Sequence, residues 1–126
     1  MAIAYVSIGA TDVEASLPFF DATFGAAGLE RSFHSGGWAG YGEKGKDADI
    51  YICTPFDGQP AHAGNGAMIA IKVASPEQVA EVHAMALSSG GTDEGAPGFR
   101  PADSTNFYGA YFRDPTGNKF CVFARP

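Results

Sequence analysis

The chain has 126 residues, enough to bury the core of one compact domain, and 45% of them are hydrophobic. Its formal net charge is −6 and its eight basic residues are scattered, which argues against a nucleic-acid partner because phosphate binding needs clustered lysine and arginine. The first residues have neither a basic flank nor a long apolar stretch, so we expect no signal peptide and no membrane partner.

An alternating apolar pattern predicts the first strand over residues 3–10. Successive side chains of a strand point to opposite faces. Val6 and Ile8 therefore share one face, and Tyr5 and Ser7 share the other.

A helix-start signal follows this strand. The segment Thr11-Asp-Val-Glu14 has the pattern of a capping box, in which the threonine side chain accepts from an early backbone N–H. Phe20 and Phe24 then recur at helical spacing and predict an apolar helix face. Pro18 lacks a backbone N–H, so we expect it to kink this helix or to move its start later in the chain.

Short strands separated by glycine-rich turns come next, over residues 30–35, 38–42 and 49–54. Residues 55–66 are rich in proline and glycine and have no apolar periodicity. They therefore predict a link rather than a further element.

The second half begins with another strand, over residues 67–74, and a helix capped by Ser75. Gly90-Gly91 ends that helix, and we expect a loop over residues 92–105. A hairpin over residues 106–124 follows. Its turn, Asp114-Pro-Thr-Gly117, has Asp, Pro and Gly at the positions that a type I turn favours.

The two halves match in pattern. A shift of half the chain length lays Tyr5–Asp12 over Met68–Ser75 and Gly28 over Gly91. Such an internal repeat predicts two pseudo-symmetric modules, each a strand, a helix and three strands. We place the first module at residues 1–55, the link at 56–66 and the second module at 67–126.

Cys53 and Cys121 are the two cysteines, and neither belongs to a CxxC or Cys/His metal motif. Both lie on predicted strands, which favours two reduced thiols over a disulfide. We therefore expect a cytoplasmic protein.

The opening strand with its helix start and the final hairpin resemble those of the vicinal oxygen chelate superfamily, which includes glyoxalase I, extradiol dioxygenases and fosfomycin- and bleomycin-resistance proteins. The resemblance covers nearly the whole chain. It rests on Asp12, Ser16 and Phe19-Phe20 after the first strand, and most specifically on the Asp-Pro-Thr-Gly-Asn hairpin within Phe107–Phe123. It implies an α+β fold of paired βαβββ modules, whose sheets curl into a half-open barrel around a ligand cavity. It also implies a homodimer.

Catalytic members of that superfamily hold a divalent metal through His or Glu, and the resemblance assigns those positions here to Tyr5, Met68 and Cys121. A protonated phenol and a thioether are poor ligands for hard metals. We therefore expect no metal and no other cofactor, and the sequence assigns no catalytic residue. A displaced metal site remains the alternative, with His34 better placed to reach the cavity than His62 or His83.

Strand alternation predicts which side chains line the cavity if the helices cover the opposite face of each sheet. The resulting set is aromatic and sulfur-rich with a few polar groups, as in many small-molecule pockets: Tyr5, Ser7, Met68, Lys72, Phe107, Tyr111, Arg113, Cys121 and Phe123, with Trp38 and Tyr41 adding a stacking wall. Tyr111 also matches an active-site tyrosine of fosfomycin-type relatives. The alternative is that these side chains fill a closed barrel.

Cys121 allows two interpretations. As a nucleophile it would need a pKa lowered by a nearby cation, such as Lys72 or Arg113. As a small apolar residue it would only fill space, which is common for buried cysteine. The second interpretation is favoured.

These observations predict a protein that binds a small aromatic or cationic molecule without the usual metal site. Stacked rings can hold planar groups or cations, and the acidic net charge attracts cations over a distance. One alternative is a metal-dependent glyoxalase-like lyase that uses a displaced site. Another is a structural dimer whose barrel has closed.

Overall fold

A computed structural model describes residues 2–126, and Met1, the first residue of the predicted first module, lies outside this range. The elements follow the predicted order and are β1 (Val6–Gly9), α1 (Val13–Ala26), β2 (Glu30–Ser35), β3 (Trp38–Gly42), β4 (Ile50–Cys53), β5 (Ile69–Lys72), α2 (Pro76–Ser88), β6 (Thr92–Phe99), β7 (Tyr108–Arg113) and β8 (Lys119–Ala124).

The strands form two four-stranded mixed sheets with the same topology. The first sheet has the order β1-β4-β3-β2 and the second has the order β5-β8-β7-β6. In each sheet the strands that come first and last in the chain lie side by side and pair in parallel, β1 with β4 and β5 with β8. The other pairs are antiparallel. The α+β fold with paired βαβββ modules is thus confirmed. The sheets do not close into a barrel, so the closed-barrel alternative is wrong.

Aromatic side chains of α1 hold the two sheets together. Phe20 lies 6.0 Å from Tyr41 of the first sheet and 6.3 Å from Phe120 of the second, measured between ring centroids. Phe24 contacts the same two rings at 5.2 and 5.7 Å. One helix thereby joins both sheets into a single core. None of the helices within residues 2–126 is long and apolar enough to cross a membrane.

The start of α1 differs from the prediction by one residue. Asp12, in extended conformation, is the N-cap, and its Oδ1 accepts from the backbone N–H of Ala15 at 3.0 Å. The backbone N–H of Thr11 instead donates to Thr116 Oγ1 in the second half of the chain. Pro18 is exposed and lies within α1, which begins at Val13, so the prediction that Pro18 moves the start of the helix later is wrong.

The loop expected over residues 92–105 is wrong for its first part, which forms β6. This strand lies at the edge of the second sheet and pairs only with β7. Its register shifts on both sides of Gly95, and Pro97 interrupts it further. Bulges, glycine and proline are typical of edge strands, and they remove the alternation by which a strand is recognised.

The β7–β8 turn connects the two halves of the chain. Asp114 is buried, and its Oδ1 accepts from the backbone N–H groups of Thr116, Gly117 and Asn118 at 2.9–3.0 Å. The Asn118 side-chain amide donates to Asp114 Oδ2 at 2.8 Å and to the Gly9 carbonyl oxygen of β1 at 2.9 Å. The Asp-Pro-Thr-Gly-Asn segment therefore shapes its own turn and also attaches the second sheet to the first.

Candidate functional site

Each sheet has one face packed against the helices and an opposite face, here called the open face. In the first sheet the register aligns Ser7, Tyr51, Gly40 and Phe33 across the open face. In the second sheet it aligns Ala70, Cys121, Tyr111 and Gly95. The predicted alternation of side chains is therefore observed at Ser7, Tyr111 and Cys121.

The open face of the first sheet holds an aromatic cavity of about 390 Å³, lined by Tyr5, Phe33, Ser35, Trp38 and Tyr51. Tyr51 is central, because its ring centroid lies 5.1 Å from Tyr5, 5.9 Å from Trp38 and 6.2 Å from Phe33. The outer rings keep much of their surface in solvent, with 39% of Trp38 and 57% of Tyr5 exposed. A ligand could therefore reach these rings without rearrangement of the core.

A glycine makes room for the central ring of this cavity. A Cβ atom on Gly40 would lie 2.8 Å from Tyr51 Cε1 and 3.0 Å from Ala48 Cβ. Any larger residue would push the Tyr51 ring away from β3. The sequence pattern of β3 did not identify Gly40 as important, because the space that it leaves is filled by Tyr51 from another strand, β4.

Sequence reasoning identified only part of the aromatic cavity. Tyr5 and Trp38 were predicted, whereas Tyr51 and Phe33 were missed. Alternation within β4 could have placed Tyr51 on the face opposite to Ile50 and Ile52, but it could not have identified the neighbours of Tyr51. Tyr41 was wrongly assigned to the stacking wall: it is fully buried against α1, and its hydroxyl donates to Asp21 Oδ1 at 2.6 Å. Desolvation by burial, with the nearby Asp21 carboxylate, raises the pKa of Tyr41 far above its ordinary value.

Ser7 lines a neighbouring cavity of about 310 Å³ rather than the aromatic one. Residues of the link also line it, including Asp57, Gln59 and His62, as does Cys53 of β4. The link lies close to β1, since a Cβ atom on Gly9 would be 3.1 Å from Ala61 Cβ. The link therefore covers one end of the first open face.

The open face of the second sheet has its centre at Tyr111. The Arg100 guanidinium and the Lys119 ammonium each lie 5.6 Å from the Tyr111 ring centroid. Cys121 is its register partner on β8 and is 2% exposed. Burial raises the pKa of the Cys121 thiol and also that of the Tyr111 hydroxyl, so both groups stay protonated near neutral pH. Cys121 thus matches the space-filling interpretation, and the cations nearest to it are not the predicted Lys72 and Arg113.

Four other predicted residues also lie around this face. Phe107 and Phe123 stack with centroids 4.9 Å apart, and the Arg125 guanidinium lies 5.5 Å from the first ring. Lys72 is exposed and is the register partner of Phe123. Arg113 is less available than predicted, because its guanidinium pairs with Glu94 and donates to the Gly117 carbonyl oxygen.

The positions that hold metal in catalytic relatives do not form a ligand set here. Tyr5 lines the aromatic cavity, Cys121 is buried beside Tyr111, and Met68 lines a small separate cavity of about 30 Å³ with Ile8 and Lys119. Within residues 2–126, no group of three His, Cys, Asp or Glu side chains could hold a metal ion. The donor groups present therefore do not fit the metal that the superfamily resemblance implies.

None of the histidines supplies a displaced site among the described residues. His34, expected to reach the cavity, instead points toward α1, where its Nε2 lies 2.7 Å from Glu14 Oε1. Its Nδ1 lies 3.0 Å from an Arg31 guanidinium nitrogen, so both ring nitrogens are occupied. His83 is buried on α2, with Nε2 3.0 Å from Asp93 Oδ1. His62 is exposed on the link.

Solved structures and a family model place this geometry among known proteins. The glyoxalase/bleomycin resistance protein from Albidiferax ferrireducens is 38% identical, with a TM-score of 0.86 over 97% of both chains. A glyoxalase-related enzyme from Fulvimarina pelagi is 20% identical, with a TM-score of 0.78 over 100% of this chain and 89% of its own. At that lower identity the likeness concerns the fold alone.

A family enzyme from Burkholderia phytofirmans is likewise 20% identical, with a TM-score of 0.75 over the full length of both chains. Among proteins of curated function, none matches the sequence significantly. The family model of the Glyoxalase/Bleomycin resistance protein/Dioxygenase superfamily matches residues 2–122, nearly the whole chain. The chain therefore belongs to the glyoxalase/bleomycin resistance protein/dioxygenase superfamily.

Proposed function

We propose that this protein binds a small molecule with a planar aromatic or cationic part, without a metal, in the aromatic cavity of the first sheet. The observation that carries the proposal is the arrangement of Tyr5, Phe33 and Trp38 around the central ring of Tyr51. These rings are open to solvent and do not belong to the core cluster.

The edge-to-face geometry of these rings suits a planar guest. Interplanar angles of 69–75° between Tyr51 and its three neighbours leave ring faces and edges turned toward the cavity. An aromatic contact of this kind contributes about 0.5–1.5 kcal/mol beyond the area that it buries. Ring faces also attract cations, although no carboxylate lines this cavity to strengthen that attraction.

The alternative of a metal-dependent glyoxalase-like lyase has less support. Tyr5, Met68 and Cys121 replace the His and carboxylate ligands at the usual superfamily positions, so such a lyase would have to use a displaced site. His34, the best candidate for a displaced ligand, is engaged by Glu14 and Arg31. No step through a metal follows from these residues.

A ligand screen in the presence of EDTA tests the proposal. We expect several members of a library of small aromatic and cationic compounds to raise the Tm of the protein. Calorimetry on those compounds should then show that Tyr51→Leu weakens binding about tenfold or more, as for the central residue of a contact cluster. Trp38 is the single tryptophan of the sequence, so its fluorescence should change on binding.

Phe56→Leu is the matched control, because Phe56 is a fully exposed aromatic residue outside the aromatic cavity. It should bind every compound as tightly as the unmodified protein. The proposal is wrong if no compound raises the Tm, or if Tyr51→Leu and Phe56→Leu bind the compounds equally well.

A homodimer in the cytoplasm completes the proposal. The family resemblance implies the dimer, and the edge strand β2, which is exposed along its whole length, is consistent with an edge that a second copy covers. Both cysteines are free, which suits a reducing compartment. Light scattering should give twice the chain mass of 13.1 kDa, and a monomer at working concentrations would refute the dimer.

A further inference from the structure

The open face of the first sheet carries a second cavity beside the aromatic one. This cavity of about 310 Å³, here called the link cavity, is lined by Ser7 of β1, by Cys53 of β4 and by several residues of the link. Its volume is close to the 390 Å³ of the aromatic cavity. The position of the two cavities relative to each other decides whether one ligand can use both.

Two pairs of neighbouring residues are divided between these cavities. Ser7 lines the link cavity, and its register partner Tyr51 lines the aromatic cavity. Cys53 lines the link cavity, and its register partner Trp38 lines the aromatic cavity. Paired strands lie about 4.8 Å apart, with no other element between them. The two cavities therefore adjoin, and one small molecule can extend from one into the other.

The link cavity supplies the negative charge that the aromatic cavity lacks. Among the described residues that line the two cavities, Asp57 has the only carboxylate, and none is a lysine or an arginine. Burial raises the pKa of the Cys53 thiol, so this thiol is uncharged near neutral pH. Within residues 2–126, no side-chain nitrogen of a lysine, arginine or histidine lies within 4.0 Å of the Asp57 carboxylate. The charge of Asp57 is therefore available to a cation from solution.

The acceptor groups of the link cavity suit an ammonium ion. Asp57 Oδ1 accepts from the backbone N–H of Gln59 at 3.0 Å, and both residues line the cavity. An ionised carboxylate has about four acceptor sites on its two oxygens, so this single bond leaves room for a donor from a ligand. Ser7 and Gln59 add further acceptor oxygens to the lining. An ammonium group donates three hydrogen bonds and accepts none, which complements this set.

The half of the chain that contains both cavities also attracts cations over a longer distance. Residues 1–66 contain three basic and eight acidic side chains, whereas residues 67–126 contain five basic and six acidic ones. The first half therefore carries five of the six net negative charges. A cleft in a region of one sign of charge raises the local concentration of ions of the opposite sign.

We propose that the link cavity binds the ammonium group of a ligand whose aromatic ring occupies the aromatic cavity. The ligand class is then an arylalkylamine, with ring and nitrogen joined by a short chain. A chain of two carbons places the nitrogen three bonds of about 1.5 Å from the ring, comparable to the strand spacing of about 4.8 Å. The inference rests on the proposed function and narrows it, because it joins the aromatic and the cationic part in one molecule and assigns each part to its own cavity.

Calorimetry with two matched probes tests the link cavity: 2-(2-naphthyl)ethylammonium and the uncharged alcohol 2-(2-naphthyl)ethanol. We expect the cation to bind about fivefold more tightly than the alcohol at low salt, the scale of an exposed ion pair. Asp57→Asn removes the charge and keeps an oxygen for the Gln59 N–H, so it should bring the ratio of the two affinities close to one.

Asp47→Asn is the matched control. It makes the same change in net charge at an exposed residue of the first half that lines neither cavity, so it should retain the preference for the cation. Loss of the preference in Asp47→Asn as well would mean that the charge of the whole half selects the cation, and it would overturn the proposal. Equal affinities of the unmodified protein for the two probes would also overturn it and leave aromatic binding standing.

A titration with butylammonium chloride separates this inference from the proposed function, because butylammonium has no aromatic ring. The backbone amide signal of Gln59 in an NMR spectrum reports on the Asp57 carboxylate to which it donates. We expect butylammonium to shift this signal more than sodium chloride does at the same concentration, and this excess should be absent in Asp57→Asn. If the excess is observed while neither naphthyl probe binds, the cation site is present and the aromatic proposal is wrong. If butylammonium and sodium chloride act alike, the cation site is refuted.

Discussion

The two open faces are built on the same frame and carry different chemistry. The positions of Tyr51 on β4 and Cys121 on β8 correspond, because each lies beside the equivalent residue of the parallel first strand, Ser7 or Ala70. The large ring of the second sheet lies instead on β7, at Tyr111, where the first sheet has Gly40. The central ring thus lies on β4 in the first sheet and on β7 in the second. In the first sheet it forms an open aromatic cavity with its neighbours, and in the second it lies beside the cations Arg100 and Lys119.

Each central tyrosine ring lies across a glycine of the next strand. Tyr51 lies over Gly40, and Tyr111 lies over Gly95, where an added Cβ atom would be 3.0 Å from Tyr111 Cδ2. In both sheets the glycine at the neighbouring register position leaves room for the tyrosine ring. Substitutions in each half of the chain can test the turns and these two glycines separately.

The largest difference in stability effect that we expect between the two halves comes from their equivalent turns, β7–β8 and β3–β4. Asp114→Ala leaves the backbone N–H groups of Thr116 and Asn118 without their acceptor in a partly buried turn. The Gly117 N–H keeps only its bond to the backbone carbonyl oxygen of residue 114. We expect it to lower the free energy of unfolding by about 2–4 kcal/mol, measured by urea denaturation. The control is Glu43→Ala in the β3–β4 turn, which removes only an exposed pair with Lys46 and should leave stability unchanged.

A destabilisation of Glu43→Ala comparable to that of Asp114→Ala would show that the two turns contribute equally, contrary to this interpretation. Asn118→Ala would sharpen the result. It removes the contact with the Gly9 carbonyl oxygen of β1 and keeps the Asp114 side chain.

A smaller effect is expected when each glycine under a tyrosine ring is replaced. In Gly40→Ala the new methyl group meets Tyr51 and Ala48 in the interior of the first sheet, which should cost about 1–3 kcal/mol of stability. It should also move the Tyr51 ring and alter the fluorescence of Trp38. Gly95→Ala lies on the edge strand β6, which can shift outward, so its cost should stay below about 1 kcal/mol.

Urea denaturation of both variants measures the costs, and the fluorescence spectrum reports on the ring. If the two substitutions cost the same, or if the Trp38 spectrum of Gly40→Ala is unchanged, the ring-over-glycine arrangement does not control the first open face.

The smallest effect concerns the two thiols. Burial raises the pKa of both Cys53 and Cys121, so a smaller fraction is thiolate at pH 8 than in free cysteine. We expect iodoacetamide to label both more slowly than free cysteine, with Cys121 (2% exposed) slower than Cys53 (9% exposed). Mass spectrometry of the alkylated peptides measures the two rates, and unfolding in urea should remove the difference.

The raised pKa values of the two thiols also determine how the stability of the protein depends on pH. A thiol whose pKa is higher in the folded state stabilises the fold below its unfolded pKa, and this contribution is lost as the pH rises through the folded pKa. Stability should therefore fall at alkaline pH, and less so in Cys121→Ser. Labelling of Cys121 faster than free cysteine at neutral pH would restore the nucleophile interpretation.

Local pattern predicted much of the fold and of the second open face. Alternation along single strands correctly placed Tyr111 and Cys121 on the face away from the core, since both strands are long and regular. It was less successful in the first sheet. Trp38 and Tyr41 were assigned to one wall although a strand places positions three apart on opposite faces, and Tyr41 is in the core.

What the sequence by itself determined is the repeated order of elements, the faces of the regular strands, the Asp114–Asn118 turn and the superfamily, because each depends on residues close together in the chain or on a local motif. Only the tertiary structure decided that Tyr51 is the centre of the aromatic cavity, that β6 is a strand and that His34 faces α1. These features depend on register between strands distant in sequence. The side-chain period predicts which face a residue occupies, and it contains no information about which residue of another strand lies beside it.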